Sequence, residues 1–300
     1  MASQVIAFIG LGNMGGLMAA NLVEAGHRVV GFDLSEASCR AAAAEGVEIA
    51  CSATATLADA DIVMTMLPAG KHVLSVWAEL LTEVRPGILL IDSSTIDVDS
   101  ARKAHEMASE RGCASLDAPV SGGTAGARNA TLTFMAGGSA EAFERSQPIL
   151  ATMGKRIVHC GAGSAGQAAK ICNNMILGVS MIGVAEAFVL AEKLGLARQA
   201  LFDVAASSSG QCWSLTSYCP VPGPVPGSPA NNGYRPGFSA DLMLKDLRLA
   251  QEAALASGAN TPLGAEAAQI YALFSALGHG GKDFSGIIEF LRGAAENAGE

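Results

Sequence analysis

Residues 5–22 read VIAFIGLGNMGGLMAANL. An apolar stretch of strand character, Gln4–Ile9, leads into glycines at positions 10, 12 and 15, and a helical stretch follows over Gly16–Ala25. Glycine at these spacings permits a tight turn, a close approach of the backbone to a pyrophosphate, and packing of the helix on the strand. The stretch predicts the first β–α turn of a dinucleotide-binding domain, with a cofactor loop formed by Gly10, Leu11, Gly12, Asn13, Met14 and Gly15.

A second strand, Arg28–Phe32, is followed by Asp33, which lies 18 residues beyond Gly15. A carboxylate at this point accepts hydrogen bonds from the adenosine ribose hydroxyls and repels a 2′-phosphate. No arginine follows immediately, so the sequence predicts NAD rather than NADP. The alternative is that Asp33 only caps the helix that begins near Ser35.

Short apolar runs alternate with amphipathic stretches as far as residue 163, which is typical of a parallel sheet with helices on both faces. From Ser164 a single helical stretch runs over Gln167–Leu194, and further helices follow it with an irregular loop at Cys219–Gly237. The predicted fold is α/β: a Rossmann-type doubly wound domain over residues 1–163, then an all-α domain over 164–300 that begins with the long connecting helix. Ligands of such folds usually bind in the cleft between the domains.

The predicted strands after the first two are Asp61–Leu67, Ile88–Ser93, Ala114–Val120, Leu132–Met135 and Ile157–His159. The predicted helices after the first are Lys71–Val84, Val98–Arg111, Ala140–Met153, Gln167–Leu194, Arg198–Ala206, Ala240–Ala256, Leu263–Leu277 and Phe284–Ala294.

Composition excludes several classes of function. The net charge of −9 argues against nucleic acid or an anionic membrane as the main partner. Seven scattered cysteines without a CxxC pair predict neither a zinc site nor a disulfide framework, and the N-terminus has no basic region of a secretory signal. The apolar window Ile171–Val189 is long enough to span a bilayer, but it contains two asparagines and a glutamate and is interpreted as a buried helix. A cytoplasmic protein without a metal is expected.

The chemistry is expected on the long helix. The sequence lacks the Tyr-x-x-x-Lys pair and the zinc-binding cysteines of other dehydrogenase classes, and its five histidines are scattered. Lys170 and Asn174 are four residues apart and share one helix face. A lysine near a helix N-terminus is disfavoured in its charged form, which suits a base. The alternative is a lysine whose amine extends to the surface.

Several motifs give the chain a resemblance to the β-hydroxyacid dehydrogenases, and among these to the 3-hydroxyisobutyrate dehydrogenases. The resemblance runs from about Val5 to Leu291. The stretches that carry it are IGLGNMGGLMAANL, MLP, IDSSTID, DAPVSGGTAGA, LTFMAGG, GQAAKICNNM, CPVPG and LMLKDLRLAQEA.

The resemblance implies an NAD-dependent oxidation of a small 3-hydroxy acid, 3-hydroxyisobutyrate to methylmalonate semialdehyde in valine catabolism. It implies that Lys170 is the general acid/base and that Asn174 supports it or orients the substrate. Cofactor contacts are implied for Leu67, Pro68, Thr95 and Lys245. Ser121, Gly122 and Gly123 match the loop that holds the substrate carboxylate, which agrees with the anion-binding capacity of successive backbone N–H groups.

Cys219 departs from the family pattern, in which asparagine usually precedes the PVPG stretch, and this leaves the substrate open. Serine, threonine or 3-hydroxypropionate are alternatives, and serine would need an acid such as Asp246 near its ammonium group. A semialdehyde reductase that favours NADPH conflicts with Asp33, and 6-phosphogluconate dehydrogenases share the fold but have a much longer helical domain. A non-catalytic NAD-binding sensor is the alternative of another class. The apolar helices predict a homodimer or homotetramer.

Overall fold

The computed structural model describes residues 3–293. Contacts divide the chain into two compact units, Met1–Lys170 and Ile171–Glu300. The strands of the first unit are β1 Val5–Ile9, β2 Arg28–Phe32, β3 Glu48–Ile49, β4 Ile62–Thr65, β5 Leu89–Asp92, β6 Ala114–Asp117, β7 Val120–Ser121, β8 Leu132–Gly138 and β9 Gly154–Gly161. Its helices are α1 Gly15–Glu24, α2 Glu36–Ala44, α3 Gly70–Leu80, α4 Val98–Glu110, α5 Gly123–Arg128 and α6 Ala140–Leu150.

The central strands are apolar on both faces. In β1, Ile6 and Phe8 belong to one buried cluster, whereas Ala7 and Ile9 belong to another. Successive side chains of a strand point to opposite faces, so the two clusters lie on opposite faces of the sheet. Helices cover both faces of such a sheet, which explains why its strands read as continuous apolar runs rather than as alternating ones.

The sheet order is β3-β2-β1-β4-β5-β6-β8-β7, and β9 pairs with β8. The pairings from β3 through β2, β1, β4 and β5 to β6 are all parallel, as the sequence predicts. Strand β8 differs, because it is antiparallel to both β6 and β7. The predicted strand Ala114–Val120 is interrupted between β6 and β7 at Ala118 and Pro119, since proline has no N–H for the ladder. The Rossmann-type core is confirmed, within a sheet that is mixed.

A 29-residue helix, α7 Ala165–Lys193, confirms the predicted long helix. The second unit continues with α8 Arg198–Ala206, α9 Trp213–Thr216, α10 Ala240–Ser257, α11 Pro262–Phe274 and α12 Ile287–Leu291. The last predicted helix, Phe284–Ala294, corresponds to a 3-10 turn followed by α12, and its end at residue 294 lies outside the described residues.

Helix α7 is long and apolar enough to cross a bilayer by length and composition, but only 39% of its most apolar window is buried. The expectation of a buried helix therefore holds for one face only. The opposite face is exposed at Ile176, Gly183, Ala187 and Leu190. These residues follow at spacings of seven, four and three, so they form a single stripe along the helix.

The irregular loop Cys219–Gly237 is anchored at several points of the second unit. The hydroxyl of Tyr234 donates to the carbonyl oxygen of Pro220 at 2.9 Å, and that of Tyr218 donates to Asp283 at 2.9 Å. Cys219 is fully buried in the helical core, and burial raises the pKa of its thiol. Its replacement of the usual asparagine therefore alters core packing of this unit rather than an exposed surface.

Candidate functional site

The glycine-rich loop has the geometry of a phosphate cradle. Gly10 has a φ of 96°, and a side chain there would collide with the carbonyl oxygen of Met66. A side chain at Gly15 would collide with the carbonyl oxygen of Gly10, so this glycine lets α1 pack against the loop. A Cβ at Gly12 would meet nothing within 4 Å. That opening is on the exposed side of the loop at the N-terminus of α1, where a pyrophosphate can approach the backbone.

Asp33 is joined to this loop. Its Oδ2 accepts from the N–H of Leu11 at 2.7 Å, and its Oδ1 accepts from the N–H of Ser35 at 2.7 Å. The cap of α2 is Ser35, whose hydroxyl accepts from the N–H of Ser38. Asp33 is therefore not the cap itself. Its half-buried carboxylate keeps further lone pairs for donors such as the hydroxyls of a ribose.

The loops after β4 and β5 are held together by a buried carboxylate. Oδ1 of Asp92 accepts from the hydroxyl of Thr65 at 2.7 Å and from that of Ser94 at 2.6 Å. The hydroxyl oxygen of Ser94 in turn accepts from the N–H of Leu67 at 2.7 Å. Desolvation raises the pKa of Asp92 to about 6. This network fixes the segment of Leu67 and Pro68 relative to that of Thr95, the two segments for which the family resemblance implies cofactor contacts.

The loop at Ser121–Gly123, to which the family resemblance assigns the substrate carboxylate, has an unusual backbone conformation. Gly122 and Gly123 have φ values of 136° and 60°, and α5 begins at Gly123. A Cβ at Gly122 would lie 3.1 Å from Leu132. The carboxylate contact that the family resemblance implies for this loop stays a prediction.

Lys170 and Asn174 lie one turn apart on α7, and both are buried, with exposed fractions of 7% and 2%. The surface alternative for Lys170 therefore does not fit. The Asn174 side-chain amide donates to Oδ2 of Asp246 at 2.5 Å, and Oδ1 of Asp246 lies 3.4 Å from Nζ of Lys245. Asp246 is itself buried on α10 and contacts both Asn174 and Lys245. The second unit thus brings the polar side chains of Asn174, Lys245 and Asp246 together.

The candidate residues of the first unit share one edge of its sheet. Gly10, Asp33, Leu67 and Thr95 all follow the carboxyl ends of parallel strands, and these ends lie at the same edge. Two acids, Asp92 and Asp117, were not predicted from the sequence as part of the site, and Asp246 was named only as an acid that a serine substrate would need. Asp246 gave a signal, because it lies on the apolar face of α10 with Met243, Leu247 and Ala250.

Comparison with known proteins agrees with this geometry. Residues 5–161 match the family model of the NAD-binding domain of 6-phosphogluconate dehydrogenase. Residues 164–291 match the model described as the NAD-binding domain of NADP-dependent 3-hydroxyisobutyrate dehydrogenase. Together the two models cover the α/β domain and the helical domain.

Relatives match over nearly the full length. A probable 3-hydroxyisobutyrate dehydrogenase of Mycobacterium tuberculosis is 55% identical, over 97% of this chain and 99% of the relative. An NAD-dependent L-serine dehydrogenase of Pseudomonas aeruginosa is 48% identical, over 93% and 95% of the two chains. A solved structure of the Mycobacterium tuberculosis 3-hydroxyisobutyrate dehydrogenase with L-serine superimposes with a TM-score of 0.95 at 54% identity, covering 97% of this chain and all of that one. The chain is therefore an NAD-binding enzyme that belongs to the 3-hydroxyisobutyrate dehydrogenase family.

Proposed function

We propose that this enzyme oxidises 3-hydroxyisobutyrate to methylmalonate semialdehyde with NAD, a step of valine catabolism. The observation that carries the proposal is the burial of Lys170 at the start of α7, in a chain that is similar throughout to a relative bearing that name. A buried amine is costly unless it has a role or a partner. Positioned beside a substrate hydroxyl, it is a general base.

Each of this chain's groups then has a distinct task. Oxidation of the alcohol removes a proton from its hydroxyl and a hydride from its carbon. Bound NAD supplies the hydride acceptor. Lys170 takes the hydroxyl proton, and it returns a proton in the reverse direction. Asn174 orients the substrate oxygen, with its own amide held by Asp246. The N–H groups of Ser121–Gly123 bind the carboxylate of the substrate.

Most of the residues that would hold the cofactor lie at the sheet edge, and Lys245 lies on α10. The loop Gly10–Gly15 would hold the pyrophosphate, and Asp33 would accept hydrogen bonds from the adenosine ribose. Leu67, Pro68, Thr95 and Lys245 provide the remaining contacts. The description of one family model names NADP. Asp33 is the basis for the proposed preference for NAD, because a carboxylate repels a 2′-phosphate and no arginine follows it immediately.

L-Serine is the second candidate substrate. Asp246 is a buried carboxylate in contact with Asn174, and its Oδ1, which makes no hydrogen bond among the described residues, lies 3.4 Å from Nζ of Lys245. An acid at this position could pair with the ammonium group of an amino acid. The relative from Pseudomonas aeruginosa is named for L-serine, which also supports this candidate.

We further propose that the enzyme is cytoplasmic and forms a homodimer or homotetramer. All seven cysteines are free thiols, which favours a reducing compartment. The exposed stripe of α7 is an apolar surface that a second copy can cover. A division at residues 163 and 164 is proposed for the domains, and the matched family models lie on either side of it.

The test is a panel of 3-hydroxyisobutyrate, L-serine, L-threonine and 3-hydroxypropionate, each with NAD and with NADP. We expect the highest kcat/KM for 3-hydroxyisobutyrate with NAD. A higher value for L-serine would favour the second candidate, and equal turnover of NADP would contradict the role of Asp33. Binding of NAD without turnover of any member would indicate a sensor, and faster reduction of semialdehydes with NADPH would indicate a reductase.

A further inference from the structure

The first turn of α7 lies directly against the ends of β6 and β8. A Cβ at Gly166 would lie 2.7 Å from the carbonyl oxygen of Asp117, and one at Gly137 would lie 2.6 Å from the N–H nitrogen of Gly166. Contacts this short are not tolerated by side chains. Glycine at both positions therefore brings the helix backbone within reach of the groups on β6.

Asp117 uses this proximity to cap the helix. Its Oδ1 accepts from the N–H of Ser164 at 2.7 Å, and its Oδ2 accepts from the N–H of Gln167 at 2.8 Å. The first N–H groups of a helix have no acceptor within the helix, and a local side chain usually provides one. Here the acceptor is a buried carboxylate from a strand about fifty residues earlier, so the start of α7 is tied to the sheet.

His105 holds that carboxylate. Its Nε2 lies 2.9 Å from Oδ1 of Asp117, and its Nδ1 lies 2.6 Å from the hydroxyl oxygen of Ser115. Only a protonated Nε2 can donate to the carboxylate, so Nε2 carries a proton in this arrangement. The imidazole thus bridges α4 and β6 and restricts the rotation of Asp117.

Gln167 provides a second attachment. Its side-chain oxygen accepts from the N–H of Ile96 at 3.1 Å, and its side-chain nitrogen donates to the carbonyl oxygen of Ser94 at 2.7 Å. Gln167 is fully buried. Lys170 follows Gln167 by three residues, slightly less than one helical turn. The position of Lys170 along and around the helix axis therefore depends on how this first turn is held.

We propose that Asp117, restrained by His105, is a positioning residue for Lys170. It fixes the first turn of α7 so that the amine of Lys170 is presented to the substrate hydroxyl in a single place. The inference rests on the proposed acid/base role of Lys170. An error of about 1 Å in the placement of a reacting group can cost about 100-fold in rate, so a modest shift of this turn is measurable.

The test is a double-mutant cycle of Asp117→Asn and Lys170→Ala, with kcat and KM measured at saturating NAD on the preferred hydroxyacid. The asparagine can accept from only one of the two N–H groups. We expect Asp117→Asn to lower kcat by about 10- to 100-fold while KM and the NAD affinity stay within about threefold. In the Lys170→Ala background the same change should lower kcat by less than about twofold, because no amine remains to be positioned. An equal loss in both backgrounds would overturn the proposal.

Variants of His105 keep the test independent of the folding of Asp117→Asn. His105→Leu removes the donor to Asp117 and should lower kcat, whereas His105→Gln replaces the donor and should recover most of the loss. Equal activity of the two variants would contradict the proposal. Ser139→Ala is the matched control, because it removes the cap of α6, which carries no candidate residue, and should leave kcat unchanged.

The outcomes also separate this inference from the proposed function. If Lys170→Ala is inactive and Asp117→Asn retains the wild-type kcat, only the positioning role is wrong. If Lys170→Ala itself retains activity, the acid/base role is wrong and the positioning role is wrong with it.

Discussion

Lys170 is buried within a chain whose exposed surface carries most of its other charges. A group that must alternate between an amine and an ammonium ion works best where water does not compete for its proton, and a helix N-terminus disfavours the charged form. Residue burial is thus the property that separates Lys170 from an ordinary lysine on a helix.

We predict that Lys170→Ala lowers kcat by about 10²- to 10⁴-fold, the usual contribution of a positioned acid or base, with NAD affinity nearly unchanged. Lys170→Arg should be little better, since a guanidinium remains protonated. Wild-type oxidation should accelerate toward alkaline pH, while aldehyde reduction favours lower pH. Measurements of kcat against pH in both directions test this, with Lys193→Ala, an exposed lysine of the same helix, as the control. Activity of both Lys170 variants within a few-fold of wild type would remove the residue from the mechanism and make Lys245 the next candidate.

The burial of Asp92 makes the stability of the protein depend on pH. Its pKa is raised from 3.8 to about 6, mainly by desolvation, and its Oδ2 makes no hydrogen bond among the described residues. Between these two values the folded protein binds more protons than the unfolded chain. The free energy of unfolding therefore falls as pH rises through this window, and the stabilisation from the bound proton is lost above about pH 6.

We predict that Asp92→Asn raises the melting temperature at pH 8, because the amide keeps an oxygen for Thr65 and Ser94 but carries no charge to desolvate. The size of the pKa shift corresponds to a gain in the free energy of unfolding on the order of 1–3 kcal/mol. The difference should shrink toward pH 4, where wild-type Asp92 is protonated as well. Thermal unfolding across this pH range is the measurement, with the exposed Asp203→Asn as a control for the change of net charge. A difference that does not depend on pH would show that Asp92 is not a buried titrating group.

At the scale of single elements, the substrate-binding role proposed for the loop at Ser121–Gly123 depends on its backbone conformation. We predict that Gly122→Val raises KM for the hydroxyacid at least tenfold, because a side chain at a φ of 136° is strained and a Cβ lies 3.1 Å from Leu132. NAD affinity should change little. The control is Gly112→Val, which strains another glycine of positive φ, at the opposite end of β6. Equal loss of NAD affinity in Gly122→Val would indicate that the whole first unit is disturbed.

Elements with a strong local signal were predictable. The glycine-rich turn, the strands of the parallel core and α7 follow from local pattern, because each depends on residues close together in the chain. The antiparallel direction of β8 was not predictable, since an apolar run identifies a strand but not its direction. The short elements β3 and α5 were missed for a related reason: two to six residues carry little periodicity.

The site was predictable to a similar extent. Gly10, Gly12 and Gly15 form a motif that is recognisable in the sequence, and Lys170 is conspicuous as a lysine in an apolar helix. Asp92 and Asp117 are not conspicuous, because an acid at the end of a strand is common in sequences. Their importance depends on partners 25 to 50 residues away along the chain, such as Thr65 for Asp92 and Gln167 for Asp117.

At the scale of the whole molecule, the exposed apolar surface of α7 remains to be explained. Ile176 and Leu190 are 66% and 60% exposed on the stripe, and Leu194 continues the same row beyond the end of the helix. Apolar side chains that line up in this way mark an interface more often than a solvated surface. A symmetric pair of such helices would cover both stripes at once, since a two-fold axis brings the same surface of each copy together.

We predict that the wild-type enzyme is a dimer or tetramer at micromolar concentration and that Ile176→Glu and Leu190→Glu each shift it toward monomer. A carboxylate introduced at the covered face would be buried without a partner, which costs about 3 kcal/mol or more and weakens association by over 100-fold. Light scattering after size exclusion measures the mass directly. The matched control is Leu255→Glu on α10, a residue that is 87% exposed but outside the stripe, and it should leave the assembly intact. A wild-type monomer, or dissociation by Leu255→Glu alone, would show that the α7 stripe is not the interface.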